Sequence, residues 1–254
     1  MTIQQLLAPF RKAVVDYDMI QEGDKIAVGV SGGKDSLTLL ALLAAYRRFS
    51  PQRFDIIALT VDLGFKGADF SQIENYCKEL NVEFYLEKTT IAEALAAKCP
   101  QNPCSLCSKM RRGALNTLLV QKGCNKLALG HHADDVIETF FLSLCYEGRL
   151  STFAPISYMS RTKVSVIRPM VYIYEGDIAA YAKKLPVLHN PCPADKHTRR
   201  EYMKSLIKNI QKDIPSAKDR IKGAIMSPDR YNLWDGVTQK YHRQIEGNED
   251  GEVE

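Results

Sequence analysis

The stretch KIAVGVSGGKDSLTLLALL, residues 25–43, decides how the rest of the chain is read. An apolar run over residues 26–30 breaks into a serine, two glycines, a lysine and an acid, and an apolar helix resumes at once. A buried strand that turns sharply into a helix aims backbone N–H groups inward, and the helix start adds partial positive charge. Such a turn suits phosphate. It is not the G-x-x-x-x-G-K-[ST] loop, because with Gly33 and Lys34 fixed the first glycine would fall on Val28 and the final hydroxyl on Asp35. Nor is it G-x-G-x-x-G. An acid follows the lysine instead, and Asp35 could hold a magnesium ion that bridges phosphates. A lone Gly-Gly would be an ordinary strand-to-helix turn.

Outward from the loop, the pattern alternates. Strands are expected at 26–30, 56–61, 82–86, 127–129 and 164–167, with helices near 34–48, 70–80, 105–122 and 133–147. Alternation at this spacing predicts an α/β fold, an open parallel sheet with helices on both faces and right-handed crossovers. Ligands then bind beyond the carboxyl ends of the strands, where the quoted loop lies. Ile3, Leu6, Leu7, Phe10, Val14 and Val15 stand at helical spacing and predict a leading amphipathic helix within residues 1–24. The main domain is expected over 25–174. A small C-terminal helical extension over 175–245 follows, with helices at 175–184, 198–212 and 215–226 and a proline-rich linker PVLHNPCPADKH at 186–197. Residues 246–254, with five acids and two glycines, read as a disordered acidic tail.

Composition narrows the class. With 254 residues, 45% hydrophobic and 25% charged, the chain reads as a soluble globular protein. No run reaches the roughly 18–20 apolar residues of a membrane span, and the start lacks an export pattern, so a cytoplasmic location without membrane partners is expected. Seven cysteines are odd in number and argue against a disulfide framework. The net charge of +4 is mild, but residues 196–222 carry nine Lys or Arg against three acids. With few aromatics among them, that run suits contact with a nucleic-acid backbone, or simply a solvated helix face.

Two further segments carry chemistry. In CPQNPCSLCSKMRRGALNTLL, residues 99–119, Cys104 and Cys107 form a C-x-x-C at a predicted helix start, where the dipole favours thiolate. Structural zinc, a dithiol redox pair and an iron–sulfur cluster all remain open. Zinc would need further ligands, such as Cys192 in NPCPAD with His189 or His197. Cys77, Cys99, Cys124 and Cys145 are expected to be buried small apolar side chains. In LALGHHADDVIETFF, residues 127–141, Asp134 and Asp135 are either first-turn acids at a helix start or, with a phosphate loop two strands away, magnesium or base-positioning groups. Gly130 would let a nucleotide approach the backbone, and His131 and His132 read as polar loop residues. Lys109, Arg111 and Arg112 follow the C-x-x-C and could stabilise a departing phosphate.

SGGKDS at 31–36 resembles the pyrophosphate-binding loop of the ATP pyrophosphatase (PP-loop) superfamily. PCSLC with SKMRRG, then GHHADD, then Arg168-Pro169 and Pro191-Cys192, resemble the tRNA 2-thiolation enzymes, closest to the tRNA 2-thiocytidine synthetases. The resemblance implies an ATP-dependent sulfurtransferase. ATP would be bound by Ser31, Gly32, Gly33, Lys34, Asp35, Ser36, Val61, Gly130 and Asp135, with magnesium at Asp35. Catalytic roles would fall to Asp35, Asp134, Asp135 and Arg111. It further implies a 4Fe-4S cluster on Cys104, Cys107 and Cys192, although Ala194 and Asp195 stand where the family often has a second C-x-x-C. The implied partners are tRNA, docked on Lys196, Arg199, Arg200 and Lys204, and a sulfur donor, sulfide or a persulfide carrier; a homodimer is left open. Cytidine is preferred to uridine because the chain has no cysteines for the zinc fingers of the 2-thiouridine enzymes. Another PP-loop ligase, of the lysidine or amide-forming kind, and an RNA-binding protein with structural zinc are the rivals.

Overall fold

A computed structural model describes residues 1–65, 67–98, 103–188 and 199–227. Helix α1 (Ile3–Asp16) opens with a reciprocal cap between Thr2 and Gln5 and buries Leu6, Phe10, Ala13 and Val14. There follow β1 (Asp24–Gly29), α2 (Lys34–Tyr46), β2 (Phe54–Asp62), α3 (Ser71–Glu79), β3 (Glu83–Lys88), α4 (Ile91–Lys98), α5 (Pro103–Gln121), β4 (Lys126–Ala128), α6 (Ala133–Glu147), β5 (Ile156–Met159), β6 (Val164–Ile167), α7 (Glu175–Ala182), α8 (Arg199–Asp213) and α9 (Ala217–Met226). The strands form one sheet in the order β3-β2-β1-β4-β6-β5, parallel except for β5, which pairs antiparallel with β6 at the edge.

The expected alternation is present, with two additions. The sheet gains β5, a four-residue strand too short to show a period, and the third crossover gains α4. The order also corrects the spacing of the two glycine loops: β4 lies directly beside β1, not two strands away. From β1 the chain moves outward to β2 and β3, then returns to the other side of β1. That reversal opens a crevice at the carboxyl ends of β1 and β4, the place where open α/β sheets bind ligands.

Helix α2 fixes the crevice in place. Its residues from Ser36 through Ala44 are buried, as is Tyr46, because β1 and β2 cover one side while α1 and α7 cover others. A helix apolar on every side belongs in the interior. At the opposite edge of the sheet, buried Lys126 pairs with Asp24 at 2.6 Å and donates to the Met19 carbonyl at 2.7 Å. Asn125 donates to Asp24 at 2.6 Å and accepts the Lys25 N–H at 2.9 Å, so a satisfied polar network sets the register of β4 on β1.

The chain divides into two units, Met1–Leu206 and Ile207–Glu254. The first holds the whole sheet and the start of α8. The described part of the second is the end of α8 and α9, carrying Lys208, Lys212, Lys218, Arg220 and Lys222. Among the described residues no helix is long and apolar enough to cross a membrane.

Candidate active site

The loop after β1 is stapled by its own side chains. Ser36 Oγ accepts the Ser31 N–H at 3.1 Å and donates to the Gly33 carbonyl at 3.0 Å, and Ser31 Oγ accepts the Gly33 N–H at 3.4 Å. Gly32 takes φ +82°, and a Cβ there would meet Leu188 at 3.0 Å and Ile73 at 3.2 Å. Gly33 precedes α2 without a side-chain cap, so the first N–H groups of that buried helix are left for a ligand. Lys34 reaches back over the turn to Asp35 at 3.1 Å and Glu175 at 3.0 Å. Burial alone would lower its pKa, but the two carboxylates outweigh burial and raise it, so the ammonium stays charged. Asp35 Oδ1 is buried and has no hydrogen-bond partner among the described residues, which suits a cation ligand.

The loop after β4 packs directly on this turn. A Cβ on Gly130 would lie 3.0 Å from the Asp35 carbonyl carbon, 3.1 Å from its oxygen and 3.1 Å from the Ser36 nitrogen. The glycine is therefore required by the approach of two protein loops, and it also lines the cleft beside them. His132 caps α6: its Nδ1 accepts the Asp135 N–H at 3.4 Å while Asp135 Oδ2 accepts the His132 N–H at 3.0 Å. The ring also turns Nε2 toward Asp35, at 3.7 Å. His131 lies over Phe153 with centroids 4.9 Å apart, and burial pushes its pKa down to about 4, so the imidazole is neutral.

The acids of this segment reach other elements. Asp134 is buried and accepts the Glu175 N–H at 2.7 Å, fixing the start of α7. Asp135 accepts from Arg200 at 2.7 Å, and the same guanidinium stands 3.5 Å from Glu138 and donates to Thr139 at 3.1 Å. Lys204 bonds Glu175 at 2.7 Å. Arg200 and Lys204, expected on tRNA, thus extend from α8 into the acids behind the phosphate loop. Arg199 instead lies over the Tyr146 ring, 4.7 Å from its centroid. Burial raises the Glu175 pKa less than Lys204 and Lys34 lower it, and the result is about 2. Glu138 goes the other way: burial, then Asp135, lift it to about 7.

Helix α5 closes the crevice. Ser108, Arg111, Arg112, Leu115 and Asn116 recur at helical spacing and face a cleft of about 610 Å³, together with Ser31, Asp35, Leu59, Val61, Gly130, His131, Asp135 and Arg168. An adjoining cleft of about 450 Å³ shares Ser31, Val61 and Arg111 and is walled by Phe65 and Phe70. Burial lowers the Arg111 pKa, and half-buried Cys107 beside it works in the opposite direction. The C-x-x-C therefore begins a helix whose next turns line the cleft. Arg168 donates to the Ala154 carbonyl at 2.7 Å and to Ser157 at 3.3 Å, which holds the mouth next to β5.

Of the cysteines expected to be apolar and buried, Cys77 and Cys124 are, and burial raises the Cys77 pKa to about 12. Cys145 is exposed, a correction: it falls in the last turn of α6, where Leu144 and Tyr146 are exposed as well. Cys99, His189, Cys192, Lys196 and His197 lie outside the described residues, as does the acidic tail. Among the described residues no group of three His, Cys, Asp or Glu stands ready for a metal ion. Sequence reasoning did not single out Glu175, Glu138 or Asn116. Only Glu175 carried a local signal, as an acid in the first turn of a helix.

A family model described as PP-loop domain matches residues 2–209. The tRNA-cytidine(32) 2-sulfurtransferase of Citrifermentans bemidjiense is 38% identical over 236 residues, spanning 90% of this chain and 92% of that protein. The tRNA-cytidine(32) 2-sulfurtransferase of Syntrophotalea carbinolica is 39% identical over 236 residues, 91% of each chain. Among solved structures, the U34-tRNA thiolase NcsA from Methanococcus maripaludis with its [4Fe-4S] cluster superposes with a TM-score of 0.74 at 26% identity, covering 91% of this chain and 80% of that one.

Proposed function

Because the chain belongs to the PP-loop domain family, we propose that its cleft performs the reaction named for its relatives, an ATP-dependent replacement of the C2 oxygen of a tRNA cytidine, at position 32, by sulfur. The observation that carries this reading is Arg111. It stands beside Cys107 and lines both clefts that meet at Ser31, so the cysteine helix and the phosphate turn share one space.

The residues divide the work as follows. The backbone of Ser31, Gly32 and Gly33 and the first N–H groups of α2 seat the pyrophosphate end of ATP, with the adenine near Val61. Lys34, kept charged by Asp35 and Glu175, meets the phosphates. The target base leaves its stack and enters the cleft, where its O2 attacks the α-phosphorus and pyrophosphate departs. Arg111, in a partly dehydrated setting, stabilises the charge that develops there. Asp135, held by His132 and Arg200, orients the loop against Asp35 and the base. The partnerless Asp35 Oδ1 suits magnesium, which when bound screens the phosphate charge. Cys104, Cys107 and Cys192 would hold a 4Fe-4S cluster, which would supply a Lewis-acidic iron for sulfide. Attack of sulfide on the activated carbon displaces AMP. Sulfide is the donor, supplied as such or released from a persulfide carrier by a thiol reductant, which provides the two electrons. Arg199 offers the tRNA backbone a salt-sensitive contact, and the enzyme works in the cytoplasm with its substrate.

The test is iron-reconstituted protein incubated with ATP, sulfide and tRNA, followed by mass spectrometry of the nucleosides. Wild type yields 2-thiocytidine and AMP, and Cys107→Ala and Cys192→Ala yield neither thionucleoside nor labile sulfur on the protein. Equal 2-thiocytidine from the variants would overturn the cluster assignment, and ATP turnover without any thionucleoside would overturn the sulfurtransferase reading.

A further inference from the structure

Five buried side-chain atoms among the described residues lack a hydrogen-bond partner: Asp35 Oδ1, Thr38 Oγ1, Asn116 Oδ1, His131 Nδ1 and Arg168 Nε. All but Thr38 belong to residues lining the 610 Å³ cleft. A protein rarely strips water from a polar atom without replacing the bond, so four such atoms around one cavity mark where a polar ligand is received.

Their placement is uneven. Asp35 begins α2, His131 follows β4 and Arg168 follows β6, so all three stand at the carboxyl edge of the sheet. Asn116 does not. Helix α5 connects the end of β3 to the start of β4, two parallel strands, and therefore runs back from that edge toward the opposite one. At 1.5 Å per residue, Asn116 lies about 12 Å further along the helix than Ser108. There it shares the cleft wall with Leu115, Leu127, Leu129 and Val166. One acceptor on a stretch of wall otherwise made by leucine and valine is an arrangement that reads one edge of a flat ring.

We propose that Asn116 is the specificity-determining residue for the base, its amide oxygen accepting a hydrogen bond from the exocyclic amino group at C4 of the target cytidine. The inference rests on the sulfurtransferase reading above and names what that reading leaves open, how cytidine is told from uridine. A pyrimidine is tethered to ribose through N1. Its C2 oxygen flanks that tether and its C4 substituent lies across the ring. A base entering with its ribose outward keeps O2 at the mouth, near Asp35 and Arg168, and carries the C4 group to that wall. Cytidine brings an N–H donor there, whereas uridine brings a carbonyl that would face the Asn116 oxygen with no proton between them. The amide could rotate to offer its NH₂ to uridine, and a carboxylate at this position could not.

The experiment compares wild type, Asn116→Leu and Asn116→Asp with tRNA transcripts carrying cytidine or uridine at the target position, reading 2-thiocytidine and 2-thiouridine by mass spectrometry. Leucine keeps the volume and removes the acceptor, so cytidine-over-uridine discrimination falls about tenfold or more. Aspartate keeps the acceptor and the preference for cytidine. An Asn116→Leu enzyme with wild-type rate and discrimination overturns the assignment while leaving the sulfurtransferase reading intact, as does an Asn116→Asp enzyme that prefers uridine. Wild type that thiolates neither transcript overturns both. Melting curves accompany each variant, and if leucine prevents folding the Asn116→Asp preference alone decides.

Discussion

Replacing Gly130 by alanine probes the contact that joins the two loops of the site. The added Cβ would sit 3.0 Å and 3.1 Å from the Asp35 carbonyl and 3.1 Å from the Ser36 nitrogen, all backbone atoms. Ordinary contact needs roughly 3.4 Å, so one side must yield by about 0.3–0.4 Å. Neither side yields easily: Asp35 and Ser36 form the first turn of the fully enclosed helix α2, and Gly130 is one residue removed from the β4 neighbour Leu129, whose N–H bonds the Ile167 carbonyl. Overpacking of this kind costs about 1–3 kcal/mol. At about 2–4 °C per kcal/mol for a chain of this size, the melting temperature falls by about 2–12 °C. Activity suffers more, because Asp35 moves relative to Asp135. Since a displacement of about 1 Å can cost a hundredfold, a third of that predicts about a fivefold slower pyrophosphate release with ATP and tRNA. Gly176→Ala is the control, because nothing lies within 4 Å of its Cβ, and it should be neutral in both assays. A Gly130→Ala protein that melts and releases pyrophosphate like wild type would refute the packing argument.

The two acids beside α8 should respond to pH in opposite directions. Glu138 is raised from 4.5 to about 7, first by burial and then by Asp135, so the fold favours its protonated form and loses stability as pH rises through that window. Glu138→Gln should match wild type at pH 4.5 and exceed it at pH 8 by about 1–2 kcal/mol, a value discounted for solvent around Arg200, in chemical denaturation at the two pH values. Glu175 is depressed to about 2 by Lys204 and Lys34 against the pull of burial, so its contribution is present above 4.5 and lost as pH falls toward 2. Glu175→Gln should cost about 1–2 kcal/mol at pH 7 and nothing near pH 2, and a constant difference across that range would show that the pairs to Lys34 and Lys204 are not its source.

What the sequence made legible was whatever is written in local period. The alternation of strands and helices predicts the sheet, residues 133–147 and 164–167 mark α6 and β6 at their observed bounds, and SGGKDS marks the turn that the crevice needs. Strand β5 escapes because four edge residues, three half-buried and Tyr158 exposed, are too few to show a period. The neighbour of β1 escapes for another reason: strand order depends on which crossover returns past the start, and every crossover looks alike in composition. The basic run illustrates the same limit at the level of charge. Arg200 and Lys204 look like any solvated cations until the fold brings Asp135 and Glu175 to them across 65 and 29 residues. Cys145 misleads because its apolar neighbours suggest a core, whereas the end of α6 that carries them, from Leu144 on, is exposed.

The two chemistries of the cleft are bound together by one helix more than by the sheet. Phosphate recognition needs only β1, its turn and the start of α2, a device that any strand-to-helix turn of this shape can supply. The proposed sulfur delivery to the same substrate would need Cys107 held in phase with that turn, and the period of α5 supplies such a phase. Positions 107, 108, 111, 112, 115 and 116 fall on one stripe, of which Ser108, Arg111, Arg112, Leu115 and Asn116 line the cleft wall. A single inserted residue would turn the cysteines by about 100° relative to that wall. Cys107 and Arg111 stand one helical turn apart, so on the proposed reading the path along the chain from a sulfur ligand to the charge on phosphate is short. The same spacing lets Arg111 line both clefts while feeling the charge of Cys107.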